Sequence, residues 1–171
     1  LVTMEDFRQE VDRDAARFFF ASRAPESPMD FDIDLANLQT QENPVYYVQY
    51  AHARIQSLLQ RARELGKEPL SPDRLEGSQE TFYPHPAERR LLVHLARFPE
   101  EVEQAATQRA PHRLTAYARE VASLFHTFYT DCRVLGEEER VEAARLALAE
   151  AAGNTLKKAL HLLGVTAPQR M

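Results

Sequence analysis

Apolar residues recur at helical spacing along most of the chain, and this pattern predicts an all-α protein. The strongest stretch begins at Asn43, a favourable N-cap, followed by Pro44, which suits the first helical position. It ends at Gly66, a residue that commonly terminates helices. Its apolar positions are Val48, Ala51, Ile55, Leu58, Leu59, Ala62 and Leu65. We therefore expect one long helix with a single buried face.

Four further helices are predicted after this one. Residues 87–98 and 99–109 form two shorter segments, and a long one begins at Pro111. The last begins near three consecutive glutamates, which favour a helix start, and it ends at Gly164. The proline-rich residues 67–86 read as a linker. The fold class is therefore a helical bundle of about five helices behind a small N-terminal piece.

The N-terminal piece carries weaker signals. Thr3 can cap a short helix to about Val11, and a second helix is expected over about 14–22. Three apolar residues then alternate with three aspartates: Phe31, Ile33 and Leu35 with Asp30, Asp32 and Asp34. Alternation of period two favours an extended segment. A metal site there is disfavoured, because no glycine turn or distal glutamate completes a calcium loop.

Composition excludes several classes of site. The five glycines are too far apart to build a phosphate-binding loop or a dinucleotide fingerprint. The six histidines show no metal-ligand spacing, so no metal is expected. The lone Cys132 excludes an intramolecular disulfide and suits a reducing compartment, which favours a cytoplasmic chain. It follows Phe128 by four residues, so we expect a core thiol. No segment approaches the roughly 20 apolar residues that a membrane span needs, so no membrane partner is expected.

The net charge of −5 is unevenly distributed. Residues 1–40 contain nine acidic and four basic residues, whereas residues 41–171 contain seventeen of each. The acidic excess therefore lies in the N-terminal quarter, and the neutral balance of the rest of the chain permits a local basic face there. Because the chain begins with Leu1, we expect a piece of a longer protein or a processed chain. The first residues are charged, so we expect no signal peptide.

The helix from Pro44 has a second informative face. Tyr46, Tyr50 and Arg54 lie at i, i+4 and i+8, with Arg61 further along. Aromatic rings and guanidinium groups on one face can stack on bases and pair with phosphates. Neutral hydrogen-bonding groups lie beside them at Gln49, His52 and Gln56. The alternative interpretation is a tyrosine pair packed on a neighbouring helix with solvated arginines.

Several segments resemble arginyl-tRNA synthetases. The longest is QENPVYYVQYAHARI at residues 41–55. Upstream are DAARFFF at 14–20 and DFDIDLA at 30–36, and downstream are FHTFY at 125–129, RLAL at 145–148 and LLGVTAPQRM at 162–171. They cover essentially the whole chain in the family's order, and together they identify a C-terminal part of such an enzyme.

The resemblance implies that the chain has two parts with different roles and that catalysis belongs to a separate domain. These enzymes join arginine to its tRNA with ATP and magnesium in a class I catalytic domain, whose His-Ile-Gly-His-type and Lys-Met-Ser-Lys-type motifs are absent here. Residues 1–40 would be the tail of that domain and a stem-contact connector. Residues 41–171 would be the helical DALR-type anticodon-binding domain. This chain would then have no catalytic residue and no cofactor, and would bind tRNA(Arg) as a monomer.

The resemblance also implies a set of tRNA-binding residues: Tyr46, Gln49, Tyr50, Arg54, Tyr129 and Met171. Tyr129 is the aromatic residue one place after Phe128, and Met171 ends the chain with a flexible thioether that could pack on a base. The competing interpretation is a stand-alone helical protein-interaction module that kept the fold. An independent enzyme is disfavoured, because the glycines and motifs it would need are missing.

Overall fold

The computed structural model describes residues 3–71 and 82–171, and within these ranges the secondary structure is entirely helical. Three short helices come first: α1 (Met4–Glu10), α2 (Arg13–Ala21) and α3 (Ile33–Asn37). Five longer helices follow in the described residues: α4 (Pro44–Glu64), α5 (Pro86–Ala96), α6 (Phe98–Thr107), α7 (His112–Asp131) and α8 (Glu139–Leu162). The predicted fold class, a five-helix bundle behind a small N-terminal piece, is confirmed.

The N-terminal piece contains one correction. The segment around Phe31, Ile33 and Leu35 was predicted to be extended, but residues 33–37 form α3. Asp32 caps this helix, because its carboxylate accepts a 2.8 Å hydrogen bond from the Leu35 amide. Asp34 then lies in the first turn, where a negative charge is favourable. Local capping therefore decides the backbone conformation where the hydrophobic alternation suggested a strand.

The start of α4 follows the prediction and also joins the two parts of the chain. The buried Asn43 side chain accepts from the Val45 amide at 3.2 Å, which caps α4. Its amide nitrogen donates to the carbonyls of Ala36 and Leu38 at 3.0 and 2.8 Å. One residue thus satisfies the helix end and fixes α3 against it. At the other end, Gly66 adopts a positive φ of 67°, which terminates the helix as predicted.

Helices α4, α7 and α8 pack around the centre of the core. Its largest fully buried side chains include Ile55 on α4, Phe125 and Phe128 on α7, and Leu156 on α8. Gly153 lies where α8 approaches α4: a Cβ atom there would be 2.8 Å from the Ile55 Cγ2. Close approach at this point therefore depends on the absence of a side chain.

A buried ion pair ties α5 to α8. The Glu88 carboxylate is fully buried and accepts a 2.6 Å hydrogen bond from the Arg145 Nε. Arg145 also donates to the Arg133 carbonyl, so its charge has two partners. Next to this pair lies Cys132, a buried thiol as predicted, and burial raises its pKa to about 11.

The structure describes two parts of the predicted linker at 67–86, residues 67–71 and 82–86. Residues 67–71 are non-helical, as predicted, and the Leu70 amide donates to the Ala143 carbonyl at 2.8 Å. The end of the prediction is wrong, because Phe82 and Tyr83 are buried in the core and α5 begins at Pro86. Positions 72–81 of that prediction lie outside the described residues. In the described part of the chain, no helix is both long enough and apolar enough to cross a membrane.

Candidate nucleic-acid interface

The two tyrosines predicted on α4 stack on each other. The Tyr46 and Tyr50 rings are 6.2 Å apart between centroids and are inclined by only 11°. Residues four apart on a helix lie on one face, which explains this arrangement. Both side chains are half-buried, so each keeps accessible surface. Two parallel aromatic rings at the surface offer a platform on which planar groups can stack.

Helix α7 extends this platform with a residue that sequence reasoning did not select. The His126 ring lies 6.0 Å from the Tyr50 ring at 29°, and 5.1 Å from the Tyr47 ring at 47°. His126 precedes Tyr129 by three residues, so both lie on one face of α7. This spacing was the feature of the sequence that could have identified His126 as part of the same surface. The partnership with Tyr47 and Tyr50 depends on how α4 and α7 pack.

Arg54 and Tyr129 meet across the same two helices. The guanidinium carbon of Arg54 lies 4.5 Å from the centre of the Tyr129 ring, a cation–π contact. Arg54 is exposed, and the half-buried Tyr129 also packs on Phe125 with centroids 5.7 Å apart. The contact holds the guanidinium against the ring and leaves donors for a ligand. We call the surface formed by Tyr46, Tyr50, Arg54, His126 and Tyr129 the aromatic ridge.

The aromatic ridge carries its positive charge on Arg54. Burial lowers the pKa of His126 from its usual 6.5, and the nearby Arg54 lowers it further. The imidazole is therefore neutral at pH 7 and acts as an aromatic ring. Its Nε2 atom is buried without a hydrogen-bond partner among the described residues.

The sequence allowed two interpretations of the tyrosine pair, a base-stacking surface and packing on a neighbouring helix, and the structure shows features of both. Tyr50 does contact a neighbouring helix, through His126. Tyr46 and Tyr50 nevertheless remain half-buried, and Arg54 reaches back to cover Tyr129. Packing therefore holds the rings in place, and each ring keeps part of its surface accessible, as base stacking requires.

The structure places Gln49 beside the aromatic ridge with its amide already engaged. Its Nε2 donates to the Asp14 carboxylate at 3.0 Å and to the Thr166 carbonyl at 3.0 Å. One turn on, the His52 Nδ1 lies 2.8 Å from the Pro168 carbonyl. These two residues hold the segment that follows α8, residues 164–171, which we call the C-terminal tail.

The last residues of the C-terminal tail lie along α4. Gln169 and Arg170 line a polar cavity of about 340 Å³ together with Gln56, Gln60 and Arg61. Met171, the remaining predicted contact, is 53% exposed. A flexible apolar side chain at the surface is available to a ligand.

The chain is similar to known proteins over most of its length. The family model described as DALR anticodon binding domain matches residues 48–171. The arginine–tRNA ligase of Moorella thermoacetica is 52% identical over 172 residues, and that of Heliobacterium modesticaldum is 48% identical over 171. Each alignment covers 99% of this chain but only 30% of the relative.

A solved structure agrees with these sequence matches. The arginyl-tRNA synthetase of Thermus thermophilus superposes with a TM-score of 0.75 at 33% identity, over 92% of this chain and 26% of that protein. The family match covers α4 from Val48 onward, α7 and the C-terminal tail, so it includes every residue of the aromatic ridge except Tyr46. The chain belongs to the DALR anticodon-binding domain family.

Proposed function

We propose that this chain is the tRNA-binding part of an arginine–tRNA ligase and that it holds the anticodon loop of tRNA(Arg) on the aromatic ridge. The observation that carries the proposal is the surface across α4 and α7, where two stacked tyrosines adjoin a third tyrosine covered by Arg54. Unpaired loop bases can stack on such rings, and the guanidinium can pair with a phosphate.

In this proposal, the catalytic site of the longer protein lies outside this chain. ATP, arginine and magnesium would bind a preceding catalytic domain, because the chain spans about 30% of the length of the relatives it matches. We therefore expect no ATP–pyrophosphate exchange with arginine from the chain alone. Exchange from a preparation proven free of host synthetase would contradict this assignment.

We also propose that the chain is a cytosolic monomer. Its lone Cys132 is a buried thiol with a raised pKa, which suits a reducing compartment and gives no route to a disulfide-linked dimer. Light scattering of the purified chain would test the monomer, and a mass twice that of the chain would contradict it.

The direct test of the proposed function is a titration of the chain against tRNA(Arg) and a non-cognate tRNA of similar length. Fluorescence anisotropy at low salt should give tighter binding of tRNA(Arg), because its loop bases meet the aromatic ridge while phosphate contacts are shared by both RNAs. A protein-interaction module with the same fold would bind the two RNAs equally or not at all.

A further inference from the structure

The C-terminal tail is fixed to the bundle by buried polar contacts. Gly164 ends α8 with a φ of 69°, and the Val165 amide donates to the Leu160 carbonyl at 2.9 Å. The Thr166 amide then donates to the Asp14 carboxylate at 3.0 Å, and the Thr166 hydroxyl donates to the same oxygen. Residues 165 and 166 are thus anchored to α8 and α2.

The Asp14 carboxylate is central to this arrangement. It is only 8% exposed, and one of its oxygens accepts from the Thr166 amide, the Thr166 hydroxyl and the Gln49 amide. A buried carboxylate needs such donors, because it cannot keep its charge away from water without them. The same Gln49 amide also reaches the Thr166 carbonyl, so three residues form one closed set of hydrogen bonds.

His52 supplies the next anchor. Its side chain is 2% exposed, and its Nδ1 faces the Pro168 carbonyl at 2.8 Å. A carbonyl can only accept, so Nδ1 carries the proton and donates. The opposite nitrogen, Nε2, lies 3.5 Å from the Gln56 amide nitrogen, which can donate to it. The neutral imidazole therefore bridges the C-terminal tail and α4.

The anchors and the aromatic ridge occupy adjacent strips of one helix. Residues 49, 52, 56 and 60 recur at intervals of three or four, as do residues 46, 50, 54, 57 and 61. Each helical step turns by about 100°, so the centres of the two strips lie about 120° apart around α4, and the strips approach each other at Gln60 and Arg61. The C-terminal tail covers the first strip, and its end at Gln169 and Arg170 adjoins Arg61 of the second.

We infer that Asp14, Gln49 and His52 are positioning residues for RNA binding: they fix the C-terminal tail along α4, so that Arg170 and Met171 form a wall beside the aromatic ridge. This inference rests on the proposed function and deepens it. It assigns Gln49 and His52 a role through the C-terminal tail, because the Gln49 amide nitrogen and the His52 Nδ1 are used within the protein. Fixing the wall in advance removes an ordering penalty from binding.

The expected effect can be sized from chain entropy. Ordering the backbone of one residue corresponds to a factor of about ten in an equilibrium constant. A released tail must be reordered by the RNA, or its contacts are lost. Either way, releasing it should weaken tRNA(Arg) binding about tenfold, whereas the aromatic ridge itself is unchanged.

The test combines two substitutions at His52 with a truncation. His52→Leu removes the donor to Pro168, and His52→Asn keeps a donor near the position of Nδ1. Both are titrated with tRNA(Arg) in the full chain and in a chain that ends at Gln169. We expect His52→Leu to lose about tenfold in the full chain and His52→Asn to recover most of it. In the truncated chain, His52→Leu should change affinity less than about twofold, because the residues it positions are gone.

A second measurement needs no RNA. Carboxypeptidase should release Met171 faster from the His52→Leu chain than from the unmodified chain, because the C-terminal tail is no longer held. If His52→Leu lowers folding stability too far for titration, Thr166→Val takes its place. It removes one donor to Asp14 and keeps the Thr166 amide bond.

The outcomes separate this inference from the proposed function. Equal losses in the full and truncated chains, or no loss in either, would overturn the positioning role and leave the proposed function standing. Failure of the unmodified chain to bind tRNA(Arg) at low salt would overturn the proposed function, and the positioning role with it.

Discussion

Truncating Tyr129 tests the aromatic ridge most directly. In Tyr129→Ala, the ring that packs on Phe125 and lies under the Arg54 guanidinium is removed. Loss of one stacking platform costs about 1–3 kcal/mol per base. Since 1.4 kcal/mol is about tenfold, the affinity for tRNA(Arg) should fall by roughly 5-fold to 150-fold. Arg54 also loses the ring that orients it, which places the expected value in the upper part of that range.

Folding stability should fall as well, because Tyr129 is half-buried rather than solvent-exposed. A fully buried aromatic residue replaced by alanine costs about 3–5 kcal/mol, so a half-buried one should cost about 2 kcal/mol. For a chain of 171 residues that is a drop of roughly 4–8 °C in melting temperature. The variant therefore remains folded at 25 °C, where binding is measured by fluorescence anisotropy.

Two matched variants separate stacking from stability. Tyr129→Phe keeps the ring, so its affinity should stay within about twofold of the unmodified chain. Tyr117→Phe removes a buried hydroxyl that donates to the His94 carbonyl at 2.8 Å, away from the aromatic ridge. It should cost about 1 kcal/mol of stability and leave tRNA binding unchanged. Normal binding by a folded but less stable Tyr129→Ala would show that the ring serves packing alone, and the reasoning would fail.

Three further predictions concern salt, pH and packing. Binding of tRNA(Arg) should weaken with salt with a logarithmic slope of about 0.7 for each guanidinium group that contacts a phosphate, so Arg54→Gln should reduce the slope by about 0.7. A flat response would exclude phosphate contacts. Burial lowers the pKa of His52 and His126 below 6.5. As the pH falls, these histidines therefore take up protons in the unfolded chain before they do so in the folded chain. The free energy of unfolding, measured in urea, should then be constant above pH 6.5 and should fall below it by at most about 1.4 kcal/mol per pH unit for each histidine. The control variant His161→Gln, at an exposed position, should keep this profile. A flat profile in the unmodified chain would contradict the prediction. Gly153→Ala should lower the free energy of unfolding by about 1 kcal/mol, because the new Cβ would lie 2.8 Å from buried Ile55. This overpacking outweighs the gain in helix propensity. A stabilised variant would show that α8 can move away from α4.

The helices of the bundle were predictable because their signals are local. Asn43 and Pro44 start α4, and Gly66 and Gly164 end α4 and α8, as their cap preferences indicate. The error at residues 31–35 has a physical reason. A helix of five residues is shorter than two turns, so it cannot display a 3.6-residue period, and alternation across its entry resembles a strand.

The candidate site was predictable along one helix but not between helices. The spacing of Tyr46, Tyr50 and Arg54 places them on one face of α4 in any helical fold. The contacts of His126 with Tyr50, and of Gln49 with Thr166, join positions that are 76 and 117 residues apart. Such pairings follow from the packing of α7 and of the C-terminal tail on α4, which hydrophobic periodicity does not specify.

The N-terminal piece takes part in the same core as the bundle that follows it. Phe18 of α2 is fully buried, and Ala15 packs in the cluster that also contains Val48 and Ile55 of α4. The shift in charge near residue 40 therefore marks a change in surface, while the apolar interior continues across it. Because Asp14 on α2 anchors Thr166, the piece predicted to be the tail of a catalytic domain and a stem-contact connector also fixes the C-terminal tail. The position of the proposed RNA-binding wall thus depends on both parts of the chain.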